Sequence, residues 1–137
     1  MDHPELLLPE AIRQKASISS NEYAWKIEDI EETLLAAKRA NLASIGGEVQ
    51  FRFDDGEAEP YWLGFDSGEQ LPGESWEQYV ERSAQKVLEH IQRLYRETDF
   101  LQIAKEWDFI QKKIRQGINP LDHLYFMLDF LAPTDKS

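Results

Sequence analysis

The alternation in "EVQFRF", residues 48–53, sets Val49, Phe51 and Phe53 on one side of an extended segment and Gln50 and Arg52 on the other. After the turn "DDGEAE", the stretch "PYWLGF", residues 60–65, returns as a second extended segment, so the middle of the chain predicts a β-hairpin. Its register depends on the loop. A two-residue Asp55-Gly56 turn sets Trp62 opposite Val49, whereas a three-residue loop from Asp55 to Glu57 pairs Phe51 with Tyr61 and Val49 with Leu63. The longer loop is preferred here because it gathers Val49, Phe51, Phe53, Tyr61, Leu63 and Phe65 on one buried face. It leaves Trp62 on the opposite face, near Arg52.

Helical periodicity brackets the hairpin. Tyr23, Ile27, Ile30, Leu34 and Ala37 recur at helical spacing, with Glu28, Asp29, Glu31 and Glu32 early and Lys38 and Arg39 late, the order that the helix dipole favours. Ser19 and Glu22 have capping-box spacing, Lys26 is an alternative start, and Asn41 is a left-handed stop over which Leu42 folds back. Ser75 and Gln78 form a second capping box before the stripe Trp76, Val80, Val87, Ile91 and Leu94. Thr98 caps a third predicted helix carrying Phe100, Ile103, Trp107, Ile110 and Ile114, with Gly117 as its end. Asn119-Pro120 opens a last helix with Leu121, Leu124, Tyr125, Leu128 and Leu131 inward, and Pro9 opens a short one over residues 9–16.

The order of elements, with no βα alternation and no internal repeat, predicts an α+β fold: a small antiparallel sheet built on the hairpin and packed against four or five helices. A two-stranded hairpin is marginal alone, so a further strand is expected from residues 42–46 or 17–25. The length of 137 residues suits a single domain over 1–137, with residues 1–20 loosely packed and 132–137 a frayed tail.

Composition narrows the function classes. Sixteen aromatic residues and a hydrophobic fraction of 42% supply one core and exclude a globally disordered acidic chain. The absence of cysteine removes disulfides, thiolate metal sites and thiol nucleophiles, as fits a reducing cytoplasm. "MDHPELLLPEAIRQK" lacks the basic start and apolar core of an export signal, and no apolar run reaches about 18 residues, so a cytoplasmic protein without a membrane span is expected. A net charge of −11 disfavours nucleic acid and anionic membrane, both of which need clustered Lys and Arg.

That charge is concentrated. Residues 48–81 hold ten acids against the single base Arg52, a net of −9 out of −11. One reading is a solvated surface serving solubility. The other is a face for a cationic partner, since bunched like charge carries a self-repulsion that such a partner relieves. On this reading Asp54, Asp55, Glu57, Glu59, Asp66 and Glu69 are the candidate charged contacts, and Trp62 is either an interface anchor or a core residue covered by a helix.

No reaction is written in the residues. His3, His90 and His123 fall in no nucleophile or zinc motif, and there is no GxSxG, phosphate-cradling loop or HExxH. The carboxylates of "DDGEAE" lack the ligand order of a calcium loop. No catalytic residue, metal or cofactor is expected.

"NEYAWKIEDIEETLLAAKRAN", "GGEVQFRFDDGEAEPYWLGF" and "GESWEQYVERSAQKV" together resemble small bacterial immunity proteins that accompany polymorphic or contact-dependent toxins, over about residues 21–90. The resemblance rests on an acidic helix with aromatics at its start, a glycine-led hairpin with a turn before "YWL", and an "ESW" helix start. It implies a cytoplasmic, non-enzymatic protein that binds one cognate toxin domain and blocks its active site or substrate surface. An acidic face would meet the basic cleft of a nuclease toxin as phosphate does. The alternative is an adaptor or regulatory subunit of another bacterial assembly, held by buried apolar area and therefore insensitive to salt.

Overall fold

The computed structural model describes residues 3–133. Strand β3, Ala43–Phe53, is the axis of a six-stranded antiparallel sheet. β6, Leu124–Leu131, runs along one side of it, from Ala43 opposite Leu131 to Phe51 opposite Leu124. Beyond β6 lie β2, Glu22–Trp25, and then β1, Ser17–Ser19. The other side of β3 takes β4, Gly56–Ala58, and β5, Gly64–Asp66. Helices α1 Glu10–Arg13, α2 Ile27–Arg39, α3 Trp76–Glu97, α4 Phe100–Ala104 and α5 Asp108–Arg115 complete the α+β fold. Of the two segments the sequence offers for a further strand, residues 17–25 supply β1 and β2, whereas residues 43–46 lengthen β3 itself.

Local chemistry explains most of the boundaries. Ser75 Oγ accepts from the Gln78 amide while the Gln78 side chain takes the Ser75 amide, so the capping box that opens α3 is formed as expected. Asn41 has φ +61, and the Leu42 amide bonds back to the Ala37 carbonyl with Leu42 buried, the expected stop for α2. Gly117, at φ +89, ends α5.

Four expectations are corrected. Ser19 and Glu22 do not cap a helix: they face each other across a turn in which Ser20 and Asn21 have φ +51 and +67, the primed geometry that suits a twisted hairpin, and α2 starts after Lys26. Asp99, not Thr98, caps the third helical segment, which breaks at residues 105–107 into α4 and α5. The last predicted helix is strand β6, preceded by a 3-10 turn, Pro120–His123, that Asn119 caps. Leu124, Phe126, Leu128 and Phe130 alternate into the core, and strands on both sides take up the backbone of β6, which outweighs the coincident helical spacing of its leucines.

The turn of the hairpin is the fourth. The turn is Asp54-Asp55, with Phe53 opposite Gly56, Arg52 opposite Glu57 and Phe51 opposite Ala58. In that register Glu48 would face Tyr61; it faces Gly64 instead, the offset that the three-residue loop implies, with the Val49 amide 3.4 Å from the Leu63 carbonyl. The expected register is thus recovered in β5 after the stretch around Tyr61 is extruded. Tyr61 is therefore 82% exposed rather than buried, while Phe65 returns to the core.

The sheet is tightly curled. β1 and β4 stand four strand spacings apart in the order, about 19 Å in a flat sheet. Yet Ser19 Oγ donates to Glu57 at 2.9 Å. A bulge between Ser44 and Gly46 and the pair Gly46-Gly47 permit the close approach: Gly46 has φ +140, and a Cβ on Gly47 would stand 1.7 Å from the Met127 carbonyl oxygen.

Trp25, Ile30, Leu34, Val49, Phe51, Val87, Ile91, Ile110 and Phe126 fill the main core between sheet and helices. The sequence predicts loose packing for residues 1–20; in the structure Leu8 and Ile12 are buried, and the Trp25 indole donates to the Ile12 carbonyl at 2.9 Å. Of the predicted frayed tail, Ala132 is buried, and residues 134–137 lie outside the described residues.

Candidate functional site

The same alternation that sends Val49 and Phe51 into the core turns Glu48, Gln50 and Arg52 to the inside of the curl. Cross-strand partners share a face, so Met127 lies beside Glu48, Tyr125 beside Gln50, Glu57 beside Arg52, and Ala24 and Ser17 continue the row from Met127. The result is a polar concave face with Ala24 and Met127, both buried, in its floor.

Arg52 occupies the middle of it and is only 5% exposed. Its Nη1 donates to the Ser17 carbonyl at 2.7 Å, the Ser17 hydroxyl at 3.2 Å and the Glu22 carbonyl at 3.2 Å. Its Nε donates to Gln50 Oε1 at 2.8 Å and stands 3.5 Å from Glu57. Among the described residues its Nη2 has no acceptor. Burial pulls the guanidinium below its ordinary pKa, and the carboxylates of Glu57 and Glu22 work against that pull.

A hydrogen-bonded chain continues from Arg52. Gln50 Nε2 donates to Glu59 at 2.8 Å, and the Glu59 carboxyl shares a hydrogen bond with Glu48. Two carboxyl groups can bond only if one keeps a proton. Glu48 is that group: the bond to Glu59, then burial, then the charges of Glu59, Glu22 and Asp129 push it up to about 7. Glu59 is held low by its bonds to Glu48 and Gln50. Towards the far end of β6, burial and the charges of Glu22 and Glu5 raise Asp129.

The sequence candidates divide. Asp54 and Asp55 form the hairpin tip, with Asp55 paired to Lys113 at 2.7 Å and lowered by that bond. Glu57 sits on the rim between Ser19 and Arg52, and Glu59 belongs to the carboxyl pair. These four share one end of the sheet. Asp66 and Glu69 do not join them: the Asp66 amide faces His90 Nδ1 at 3.4 Å on α3, and the Glu69 carbonyl takes a bond from Arg82. Arg82 also grips the Glu74 carboxylate at 2.7 and 2.9 Å, stapling the loop before α3 and holding Glu74 at about 2.

Trp62 is not beside Arg52. The extrusion swings it to the helical side, where it is 50% exposed and stacks parallel to Trp107 at 6.4 Å, with Tyr61 edge-on to it at 5.2 Å. Trp107 in turn packs on Phe51. Trp62 is thus half covered and half presented, next to the acidic end of the hairpin.

Glu22, Glu48, Gln50, Tyr125 and Asp129 are members of this face that sequence reasoning missed. Glu48 and Gln50 had a signal, their alternation against the core positions Val49 and Phe51. Tyr125 and Asp129 lay in the segment read as a helix, and Glu22 in the segment read as a cap. His123, stacked on Phe53 at 4.4 Å, and His90, against Phe65, serve packing. Among the described residues no group of three His, Cys, Asp or Glu side chains is placed to hold a metal ion, and no helix is long and apolar enough to cross a membrane.

Fold and face together define a small α+β domain whose charged groups are arranged on a curled sheet and its rim. Residues 15–104 match the family model described as Immunity protein 40, and the chain belongs to that family: it is an immunity protein for a polymorphic toxin. No curated protein and no solved structure matches it. The matched span runs from just before β1 to the end of α4 and leaves out β6, which supplies Tyr125, Met127 and Asp129 to the concave face.

Proposed function

We propose that this protein neutralises one cognate toxin domain by forming a complex with it in the cytoplasm, without catalysis of its own. The contact is the acidic end of the hairpin. Asp54, Asp55, Glu57 and Glu59 provide the charge, Trp62 is the apolar anchor, and Asp66 and Glu69 add to the negative field from further along. The partner surface is basic. The observation that carries this reading is the clustering of these four acids at one end of a sheet in a chain of this family, beside a tryptophan that the register slip pushes half into solvent.

Co-expression with the C-terminal domain of the protein encoded immediately upstream tests the activity, with host survival as the readout. Joint charge reversal of Asp55, Glu57 and Glu59 tests the face. Association at low salt should slow by at least about tenfold, because complementary charge acts chiefly on encounter. Survival with an unchanged association rate would keep the immunity function and remove these acids from the interface.

A further inference from the structure

The exposed stripe of α2 belongs to a different surface from the acidic hairpin. Glu28, Glu31, Glu32, Leu35 and Arg39 follow one another at helical spacing on its outer side. Leu35 is 41% exposed and stands as a ridge between two apolar hollows. One, of about 460 Å³, lies between α1 and α2 and is lined by Leu7, Pro9, Ile12 and Ala36. The other, of about 330 Å³, lies between α2 and α3 and is lined by Leu34, Ala84 and Leu88. Leu6 and Leu7, 52% and 45% exposed, extend the apolar surface.

The charges on this stripe are disposed symmetrically about Leu35. Glu31 and Glu32 stand four and three residues before it, Arg39 and Lys38 four and three residues after it. Among the described residues neither Glu31 nor Arg39 is in an ion pair. Glu32 and Lys38 reach Lys15 and Glu81 at 2.9 and 2.8 Å in largely exposed pairs, which contribute little and are readily exchanged. The helix dipole accounts for acids first and bases last. It does not account for an exposed leucine midway between them with a hollow on either hand.

We propose that this face is a two-fold interface with a second copy of the chain, the two α2 helices lying antiparallel across an axis near Leu35. A two-fold interface makes every contact twice, so a surface can serve it only if it complements itself when turned end for end. This one does: Glu31 of each copy faces Arg39 of the other, Glu32 faces Lys38, and each Leu35 ridge enters a hollow beside the other α2. The acidic hairpin stays free, so the inference stands whether or not that hairpin binds a toxin.

The test is the mass of the full chain in solution, by analytical ultracentrifugation up to the highest soluble concentration, for the wild type, Glu31→Arg, Arg39→Glu and the double variant. The wild type should dimerise, and each single reversal should weaken the dimer by at least about tenfold, because it sets two like-charge pairs across the axis. The double variant should recover it. Both residues are exposed, and circular dichroism checks that each variant is folded. A wild type that stays monomeric throughout overturns the proposal, as does a dimer indifferent to the single reversals or one that the double variant fails to restore.

Discussion

Arg52 Nη1 on β3 donates to the Ser17 carbonyl on β1 at 2.7 Å, although β6 and β2 lie between them in the strand order. An extended sheet would put those strands about 14 Å apart, beyond the reach of an arginine side chain. The guanidinium is therefore a brace that exists only while the sheet stays curled, a buried side chain that satisfies the carbonyls of Ser17 and Glu22.

Replacing Arg52 with methionine keeps the stem and removes every donor. We expect a loss of about 2–4 kcal/mol in urea denaturation, the range for stranding buried polar partners, together with faster amide exchange in β1 and β2. Arg52→Lys keeps the charge but cannot serve Gln50, Ser17 and Glu22 together, and should fall between the two. Wild-type stability in the methionine variant would show that the brace contributes nothing net.

Glu48 gives a pH dependence with a definite sign. Its folded pKa, raised to about 7, exceeds that of the unfolded chain, so between about 4.5 and 7 the folded state holds a proton that the unfolded state has released. Stability from this group is thus present at low pH and lost as pH rises through 7. Glu48→Gln offers Glu59 a permanent donor. The variant should gain on the wild type in thermal unfolding at pH 8 and differ little from it at pH 5; equal differences at both pH values would separate Glu48 from the pair.

Trp62 should matter more to the partner than to the fold. Its ring is half exposed and packs on one neighbouring indole, so Trp62→Ala should cost at most about 1 kcal/mol in stability. Dissociation of the toxin complex should accelerate by about tenfold or more, as for a hot-spot aromatic. Trp107→Ala, which also strips a contact from Phe51, should destabilise the fold more. Surface plasmon resonance and chemical denaturation separate the two effects.

Two glycines on neighbouring strands, Gly47 on β3 and Gly64 on β5, should differ sharply. Gly47→Ala drives a Cβ into the Met127 carbonyl, and we expect at least about 3 kcal/mol of destabilisation or loss of soluble protein. Gly64→Ala meets the Gly47 carbonyl oxygen at an ordinary 3.5 Å and should be tolerated. Melting temperatures of the two variants decide it.

What the sequence displayed depended on range. The Ser75 and Gln78 box and the Asn41 stop are settled within a few residues, and both were legible. Residues 121–131 carry two periodicities at once, and only the presence of β2 and β3 on either side selects the strand. The dipeptide Asp55-Gly56 advertises a primed turn, yet the chain turns one residue earlier, with neither Asp54 nor Asp55 at positive φ. Of the site, the acidic hairpin was visible as a run of charge. The Arg52, Gln50, Glu59 and Glu48 chain was not, because its closure depends on the curl.

The place of β6 in the sheet bears on when the fold can close. It is the last strand among the described residues to leave the ribosome, and it is the one that joins β2 to β3. A nascent chain that has not yet reached Leu124 holds two unconnected halves of a sheet, each with an open edge, and their union waits on contacts between residues as distant in sequence as Ala43 and Leu131. A chain released before β6 therefore has neither a closed sheet nor the Tyr125, Met127 and Asp129 side of the concave face.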